Sequence, residues 1–383
     1  MSCLNIPKYL LTYDQSNPQI LDIGENSAVR YKNKFAKKNR YDYYYIQFSN
    51  DYSFKLISLD KVITQDEISN IRSKKVFLVL DNSLEYFLTS ADMIYNEIVI
   101  KQKIPAEQII FLTAVPTMLE HVKKLSKSFN QPEIKVEYFS VFEEVGKDTI
   151  RQIKDFPTLE KKKKYSKKFL NLNRRWRLHR PLMVTMLRDR NLLEQGYVSL
   201  AKSDDGINWN TAYRNLQLVH SNHEEITNIL KRNSDVINMP DLYLDQLDLV
   251  TNRAMHENTI NDYYRETYFS VVNETTYYED IPFFSEKIFK AIAMRHPFII
   301  ATAPNSLQYL KNMGYKTYHP IIDESYDSIL DHGDRMIAIV KEIERLCKMD
   351  KKELKGWLVT ARQIAYHNYR TLARNKLSKP LNF

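Results

Sequence analysis

Glycine is nearly missing from this chain. Only 7 of its 383 residues are glycine, roughly a quarter of the usual share of about 7%, and neither GxGxxG nor GxxxxGK[ST] occurs. A backbone loop that wraps phosphate needs such glycines for close approach and left-handed turns, so phosphate here must be held by side chains and helix ends. Cysteine is scarcer still. Cys3 and Cys347 stand far apart with no CxxC, which argues against a disulfide framework and against a cysteine-rich zinc site. No stretch approaches the roughly 20 uninterrupted apolar residues of a membrane span, and the first ten residues lack the apolar centre of a signal peptide. A soluble, cytoplasmic protein is expected.

What is present is apolar volume and positive charge. Apolar residues make up 43% of the sequence, with 26 Tyr and 17 Phe, enough for two α/β domains of ordinary size. The formal charge of +9 favours polyanionic company: nucleic acid, a phosphorylated glycan or an anionic membrane surface.

Apolar runs alternate with helical patterns along the chain. Strands are expected at residues 41–48, 75–80, 109–113 and 134–139, with helices at 91–101 and 117–129 between them, a pattern of parallel α/β structure. Residues 161–180 hold ten Lys or Arg and no acid, yet contain a short strand at 169–172 and a helix start near Pro181. Residues 193–264 are polar and irregular, with one helical stretch near 224–231. From residue 268 the pattern sharpens: strand 268–272, helix 285–294, strand 298–301 and helix 305–313. Ser285 and Asn305 are expected as N-caps and Gly314 as the residue closing the last of these helices. Two long helices follow. Domains are expected at 1–160 and 161–349, with 350–383 a helix packing back on the first domain.

Two segments concentrate chemistry where a strand empties into a helix start, the place where α/β sheets bind ligands. In the first, Asn171, Asn173, Arg174, Arg175, Arg177, His179 and Arg180 crowd together. Arginine gives forked, permanently charged hydrogen bonds to phosphate oxygens, although a solvated basic turn has the same composition. In the second, Ser285, Glu286 and Lys287 open a helix after the apolar Ile281, Phe283 and Phe284. There a carboxylate is placed to accept ribose hydroxyls and a lysine to meet phosphate, although an ordinary helix start also favours Glu. One basic junction and one Glu/Lys junction suit a sugar nucleotide.

The run TYFSVVNETTYYEDIPFFSEKIFKAIAMRHPFIIATAPNSLQYLKNMGYKTY, with the Asn/Arg-rich strand upstream and DESYD at Asp323 to Asp327 downstream, resembles the donor-binding half of the fucosyltransferase-like glycosyltransferases. The resemblance covers about residues 165–345; the N-terminal part shares only the α/β pattern. It implies two Rossmann-like domains facing across a cleft, the GT-B arrangement, and a nucleoside diphosphate sugar as donor substrate with no further cofactor. It further implies that Glu286 binds the ribose and that Glu274 meets the donor sugar or nearby hydroxyls. Lys287 and an arginine of the 174–180 cluster would hold the diphosphate. Arg174 and Arg180 are the choices among four, beside Asn173.

Inverting transfer needs a base on the acceptor hydroxyl, and Asp81 and Glu85, at the end of an N-domain strand, are the candidates. Asp81 fits equally as a turn residue and Glu85 as an exposed helix residue. A retaining mechanism stays open. Asp204 and Asp205, followed by Gly206, read as a turn rather than a metal-holding pair. His220 and His223, beside Glu224 and Glu225, read as surface histidines, since no HExxH or cysteine accompanies them. No metal is expected. The acceptor is a surface glycan or its precursor, or hydroxymethylated bases of phage DNA. A noncatalytic nucleic-acid-binding protein using residues 161–180 as a basic strip is the alternative from another class.

Overall fold

The computed structural model describes residues 8–10, 43–48, 59, 63–83, 86, 88–152, 165–173, 177–200, 209–238, 242 and 261–374. The chain divides into two compact units, the first running to Glu144 and the second spanning Val145–Asn375.

The first unit is built on a five-stranded parallel sheet, β1 (Lys8–Leu10), β2 (Tyr43–Phe48), β3 (Phe77–Asn82), β4 (Ile109–Thr113) and β5 (Lys135–Tyr138), in chain order. Leu78 faces Ile109 and Leu80 faces Phe111 across the β3–β4 pair. Leu78, Val79 and Leu80 of β3 and Ile109 to Leu112 of β4 are apolar and buried on both faces, as a parallel sheet covered on both sides requires. Among the described residues it is accompanied by α1 (Gln65–Arg72), α2 (Thr89–Met93) and α3 (Met118–Ser128). A reciprocal cap starts α1, with the Thr64 N–H donating to Glu67 Oε2 at 2.7 Å and the Glu67 N–H to Thr64 Oγ1 at 3.2 Å. The expected helix at 91–101 is α-helical only in α2 and continues as π-helix over Ile94–Lys101, whose wider turns bury Ile94, Tyr95, Ile98 and Val99.

Helix α4 (Val141–Gln152) runs across the boundary between the units. The division therefore falls some fifteen residues before the expected one at 160. A continuous helix has no break in composition to mark it, and the lysine run that suggested 160 lies outside the described residues.

The second unit carries four parallel strands, β6 (Phe169–Asn171), β7 (Gly196–Val198), β8 (Phe269–Asn273) and β9 (Phe298–Ala301), in the order β7-β6-β8-β9. The chain goes from β6 outward to β7 and then returns across β6 to β8, so the winding reverses between β6 and β8. A crevice at the carboxyl ends of two such strands is the standard ligand position of this topology. Strand β7 and helix α6 (Trp209–Val219) lie in the stretch read as irregular; the expected helix near 224 is present as α7 (Glu224–Arg232). Among the described residues, shorter helices follow as α8 (Asn261–Glu266), α9 (Glu286–Ala293) and α10 (Ser306–Asn312).

Ser285 caps α9 as expected, whereas Asn305 does not cap α10. Its backbone is left-handed, with φ 62°, and its side chain makes no cap bond. The Asp327 carboxylate takes over, accepting the Leu307 N–H at 3.1 and 3.2 Å. Gly314 closes α10 at φ 91°, a conformation that suits glycine.

Two long helices complete the unit, α11 (His332–Lys348) and α12 (Lys351–Arg374). The described part of the last helix uses its apolar face within the second unit. Trp357 meets the Phe269 ring edge-on at 6.2 Å and donates Nε1–H to Ile321 O at 3.0 Å. The Asn368 amide bonds both the N–H and the carbonyl of Lys316, at 2.7 and 2.8 Å. Residues 375–383 lie outside the described residues. Among the described residues no helix is long and apolar enough to cross a membrane.

Two glycines test this packing in opposite directions. A Cβ on Gly196 would penetrate the Phe169 ring where β7 lies against β6, while a Cβ on Gly356 of α12 meets nothing within 4 Å. Gly196→Ala is expected to destabilise by about 1–3 kcal/mol through overpacking. Gly356→Ala is expected to stabilise by about 0.5–1 kcal/mol by removing helix-interior glycine. Urea unfolding of the two variants checks both signs.

Candidate functional site

The carboxyl ends of β6 and β8 are joined by buried asparagines. Asn171 Nδ2 donates to Val271 O at 2.8 Å and Asn173 Nδ2 to Asn171 Oδ1 at 2.6 Å. Asn273 Nδ2 reaches across to Asn173 Oδ1 at 2.7 Å, and the Asn173 N–H is taken by Ser199 Oγ at 2.8 Å. All three asparagines are buried. Buried amides keep their place only when hydrogen-bonded, so this ladder fixes the relative position of the two strand ends at the reversal of the sheet. Asn173 is thus a scaffold residue within the site.

Helix α5 (His179–Asp189) begins at the end of β6 with no acidic residue in its first turn and no side-chain cap bond. His179 and Arg180 occupy that turn and are buried. His179 Nε2–H donates to Glu274 O at 2.9 Å, and Arg180 Nη2 donates to Asn273 O at 3.3 Å. The imidazole lies nearly parallel to the Tyr277 ring at 5.0 Å, and the Arg335 guanidinium covers the same ring at 4.5 Å. Arg335 is itself buried, its charge met by the carbonyls of Ile329, Leu330 and Tyr277 at 2.7, 3.1 and 2.6 Å. Burial first, then the positive charges of Arg180, Arg177 and Lys287, hold His179 well below the ordinary histidine range. Burial and the neighbouring positive charge thus favour the neutral imidazole.

Lys287 comes from the start of α9. Ser285 caps that helix and is anchored from beneath by Glu274, whose Oε1 accepts the Ser285 N–H at 3.2 Å and whose Oε2 accepts its hydroxyl at 2.5 Å. Lys287 Nζ lies 3.0 Å from both Ser285 Oγ and Glu286 Oε1. The side chains of Glu286 and Lys287 are each about one-fifth open to solvent, at 19% and 18%, whereas Glu274 is sealed. Glu286 and Lys287 are thus placed to touch a ligand. Glu274, expected to meet the sugar, instead holds the helix start with both carboxylate oxygens.

The remaining expectations fall elsewhere. Asp81 is fully buried at the end of β3, where its Oδ1 accepts the Ser83 N–H at 2.8 Å, the turn role weighed above. Glu85, Arg174, Arg175, Asp204 and Asp205 lie outside the described residues. His220 is buried, not on the surface, with Nε2 3.0 Å from the Tyr278 hydroxyl. His223 stands with Asp331 and Asp334 in a group of ligand-type atoms. Its Nδ1 accepts the Ile226 N–H at 3.3 Å as the N-cap of α7, which puts the proton on Nε2, facing Asp334 at 3.1 Å. An Nε2 that carries a proton has no lone pair for a metal, so the ring works here as a cap and a hydrogen-bond donor.

Asn273, Tyr277, Ser199 and Arg335 are parts of the site that the sequence reading passed over. Asn273, a polar residue closing an otherwise apolar strand, carried a local signal. Arg335, in the first turn of an amphipathic helix, carried none.

No protein-family model matches the chain, and a search among curated proteins finds no match. Solved structures similar to it include α,α-trehalose 6-phosphate synthase from Burkholderia multivorans, 10% identical over 94% of this chain and 72% of that one, with a TM-score of 0.44. Others are the N-terminal domain of Candida albicans trehalose-6-phosphate phosphatase, 10% identical over 94% and 75% at 0.39, and the E. coli trehalose-6-phosphate structure bound with UDP-2-fluoro glucose, 10% identical over 92% and 86% at 0.37. The α/β class of this chain rests on the two parallel sheets themselves.

Burial is the main cause that raises the Glu274 carboxyl above its ordinary value of 4.5, against the pull of Lys287 and Ser285. At low pH the group is protonated in both folded and unfolded chains and costs nothing. As pH rises past 4.5 the unfolded chain ionises first, and the folded state loses relative stability until the buried carboxyl also ionises. Glu274→Gln cannot ionise. Its melting temperature relative to wild type is expected to rise as pH increases from about 4 to 7; circular dichroism melts giving a constant or narrowing difference would contradict this assignment.

Proposed function

We propose that the second unit binds a nucleoside diphosphate sugar and that the chain is a metal-independent, inverting glycosyltransferase of the GT-B kind, resembling the fucosyltransferase-like enzymes. One observation carries the reading: Arg180 and Lys287 stand in the first turns of the two helices that follow β6 and β8, where the parallel sheet reverses, and Lys287 is partly open to solvent. Two helix starts flank that point, and their N–H groups and dipoles favour an anion there.

The chemistry follows from charge. Transfer to a hydroxyl leaves a diphosphate whose negative charge grows as the glycosidic bond breaks. Preorganised cations aimed at that position stabilise the transition state more than the ground state. Glu286 is the ribose-binding carboxylate and Lys287 a phosphate ligand; Arg180 orders the strand end through Asn273 O and adds positive potential. Of the two candidate bases, Asp81 is sealed and holds its own turn, so Glu85 is the residue to change first. The acceptor is a hydroxyl of a surface glycan or its precursor.

Thermal shifts with a panel of nucleoside diphosphates test the donor site, since a ligand at about one hundred times its Kd stabilises by about 2.7 kcal/mol. Lys287→Ala is expected to weaken both nucleoside diphosphate and pyrophosphate by about 10- to 150-fold, the worth of a charged hydrogen bond. Glu286→Ala is expected to weaken the nucleotide but not pyrophosphate, because it removes the ribose acceptor while releasing Lys287. Wild-type indifference to every nucleotide removes the proposal. Glu85→Gln is expected to keep donor affinity and suppress transfer, measured by mass spectrometry of the products; full turnover moves the base elsewhere.

A further inference from the structure

Helix α12 carries six Lys or Arg and one acid, Glu353, in its 24 residues. Its solvent face is a single stripe in which Lys355, Val359, Gln363, Tyr366, Arg370 and Arg374 are all exposed, with no carboxylate among them. An open groove of ≈ 490 Å³ lies along the later part of this stripe, where His367 and Thr371 join its lining.

The aromatic and cationic groups there are stacked. The Tyr366 and Tyr369 rings lie nearly parallel at 14°, with centroids 6.5 Å apart. The Arg295 guanidinium covers Tyr369 at 4.1 Å and Tyr366 at 5.7 Å, and Arg370 covers Tyr366 at 5.7 Å. Tyr366 is nevertheless 50% exposed. Among the described residues, neither Arg295, Arg370 nor Arg374 has an acidic partner in an ion pair. Lys316 is exposed on the neighbouring loop, which Asn368 and the His367–Gly314 contact at 3.1 Å tie to α12.

We propose that this face of α12 is a docking surface for single-stranded nucleic acid. Arginines spaced along one helix edge meet successive phosphates, and a half-exposed tyrosine between them offers a ring on which an unpaired base stacks. Tyr366 to Arg374 covers about 12 Å of helix, the rise of eight residues. A duplex hides its base faces and gains nothing from Tyr366, and an anionic membrane calls for a band of aliphatic side chains, of which the stripe has Val359 alone. The surface stands on its own residues, apart from the donor-site reading, and the failure of either leaves the other intact.

Fluorescence anisotropy of the full chain with a labelled oligothymidylate, long enough for a site of about 4–16 nucleotides, measures the interaction. Wild type is expected to bind with an affinity that falls between about 50 and 200 mM salt, and the double change Arg370→Ala, Arg374→Ala to weaken binding and flatten the log–log salt slope by about 1.4. Tyr366→Ala is expected to cost about 5- to 150-fold in affinity, from the stacking of one base, while Tyr366→Phe, which keeps the ring, binds as wild type. The double change Lys123→Ala, Lys124→Ala removes the same charge from the exposed face of α3 and is expected to leave slope and affinity unchanged. The proposal is overturned by absent wild-type binding, by an unaltered slope in the arginine variant, or by an equal loss in the lysine control. Phosphatidylserine vesicles that displace the oligonucleotide while Tyr366→Ala has no effect would assign the face to membranes and overturn it equally.

Discussion

Everything in the second unit is arranged around a crowding of positive charge that the fold itself enforces. Arg177, Arg180 and Lys287 all bear on His179, whose imidazole is kept neutral by burial and by those charges. Like charges brought together in a partly dry place repel one another, and the arrangement persists because the surrounding structure fixes it. The asparagine ladder sets the strand ends, Glu274 holds the start of α9, and the Arg335–Tyr277–His179 stack holds the start of α5. The proposed diphosphate would relieve that repulsion, and the same charges would stabilise it as a leaving group.

Much of this was legible in the sequence where the controlling physics is local. Ile109–Thr113 and Phe298–Ala301 stand out as buried strands because apolar runs sit between turn residues, and Ser285 reads as a cap because a cap acts on the next two residues. The misses share a cause. Strand β7 is three residues long and depends on the missing Cβ of Gly196 against Phe169, yet without it the sheet shows no reversal to mark a site. Asp327 caps α10 from 20 residues away, so Asn305 looked like the better cap. The family resemblance made Glu274 a ligand-facing residue, whereas the structure seals it beneath Ser285, a contact 11 residues along the chain.

The two concentrations of positive charge differ in kind. At the sheet reversal Arg180 is buried and Arg177 and Lys287 are half-buried beside two helix starts, which suits a compact anion. Along α12 the cations are exposed, spaced and interleaved with rings, which suits an extended one. The net charge of +9 anticipated anionic company without separating these two forms. Placement in the fold separates them.

The central claim is that a diphosphate belongs at the carboxyl ends of β6 and β8. A crystal structure of the protein grown with uridine or guanosine diphosphate tests it most directly. The account predicts phosphate density within hydrogen-bonding distance of Lys287 Nζ, at the first turns of α5 and α9, with the ribose against Glu286. Nucleotide density at any other place in the second unit, with those first turns left to water, would contradict it.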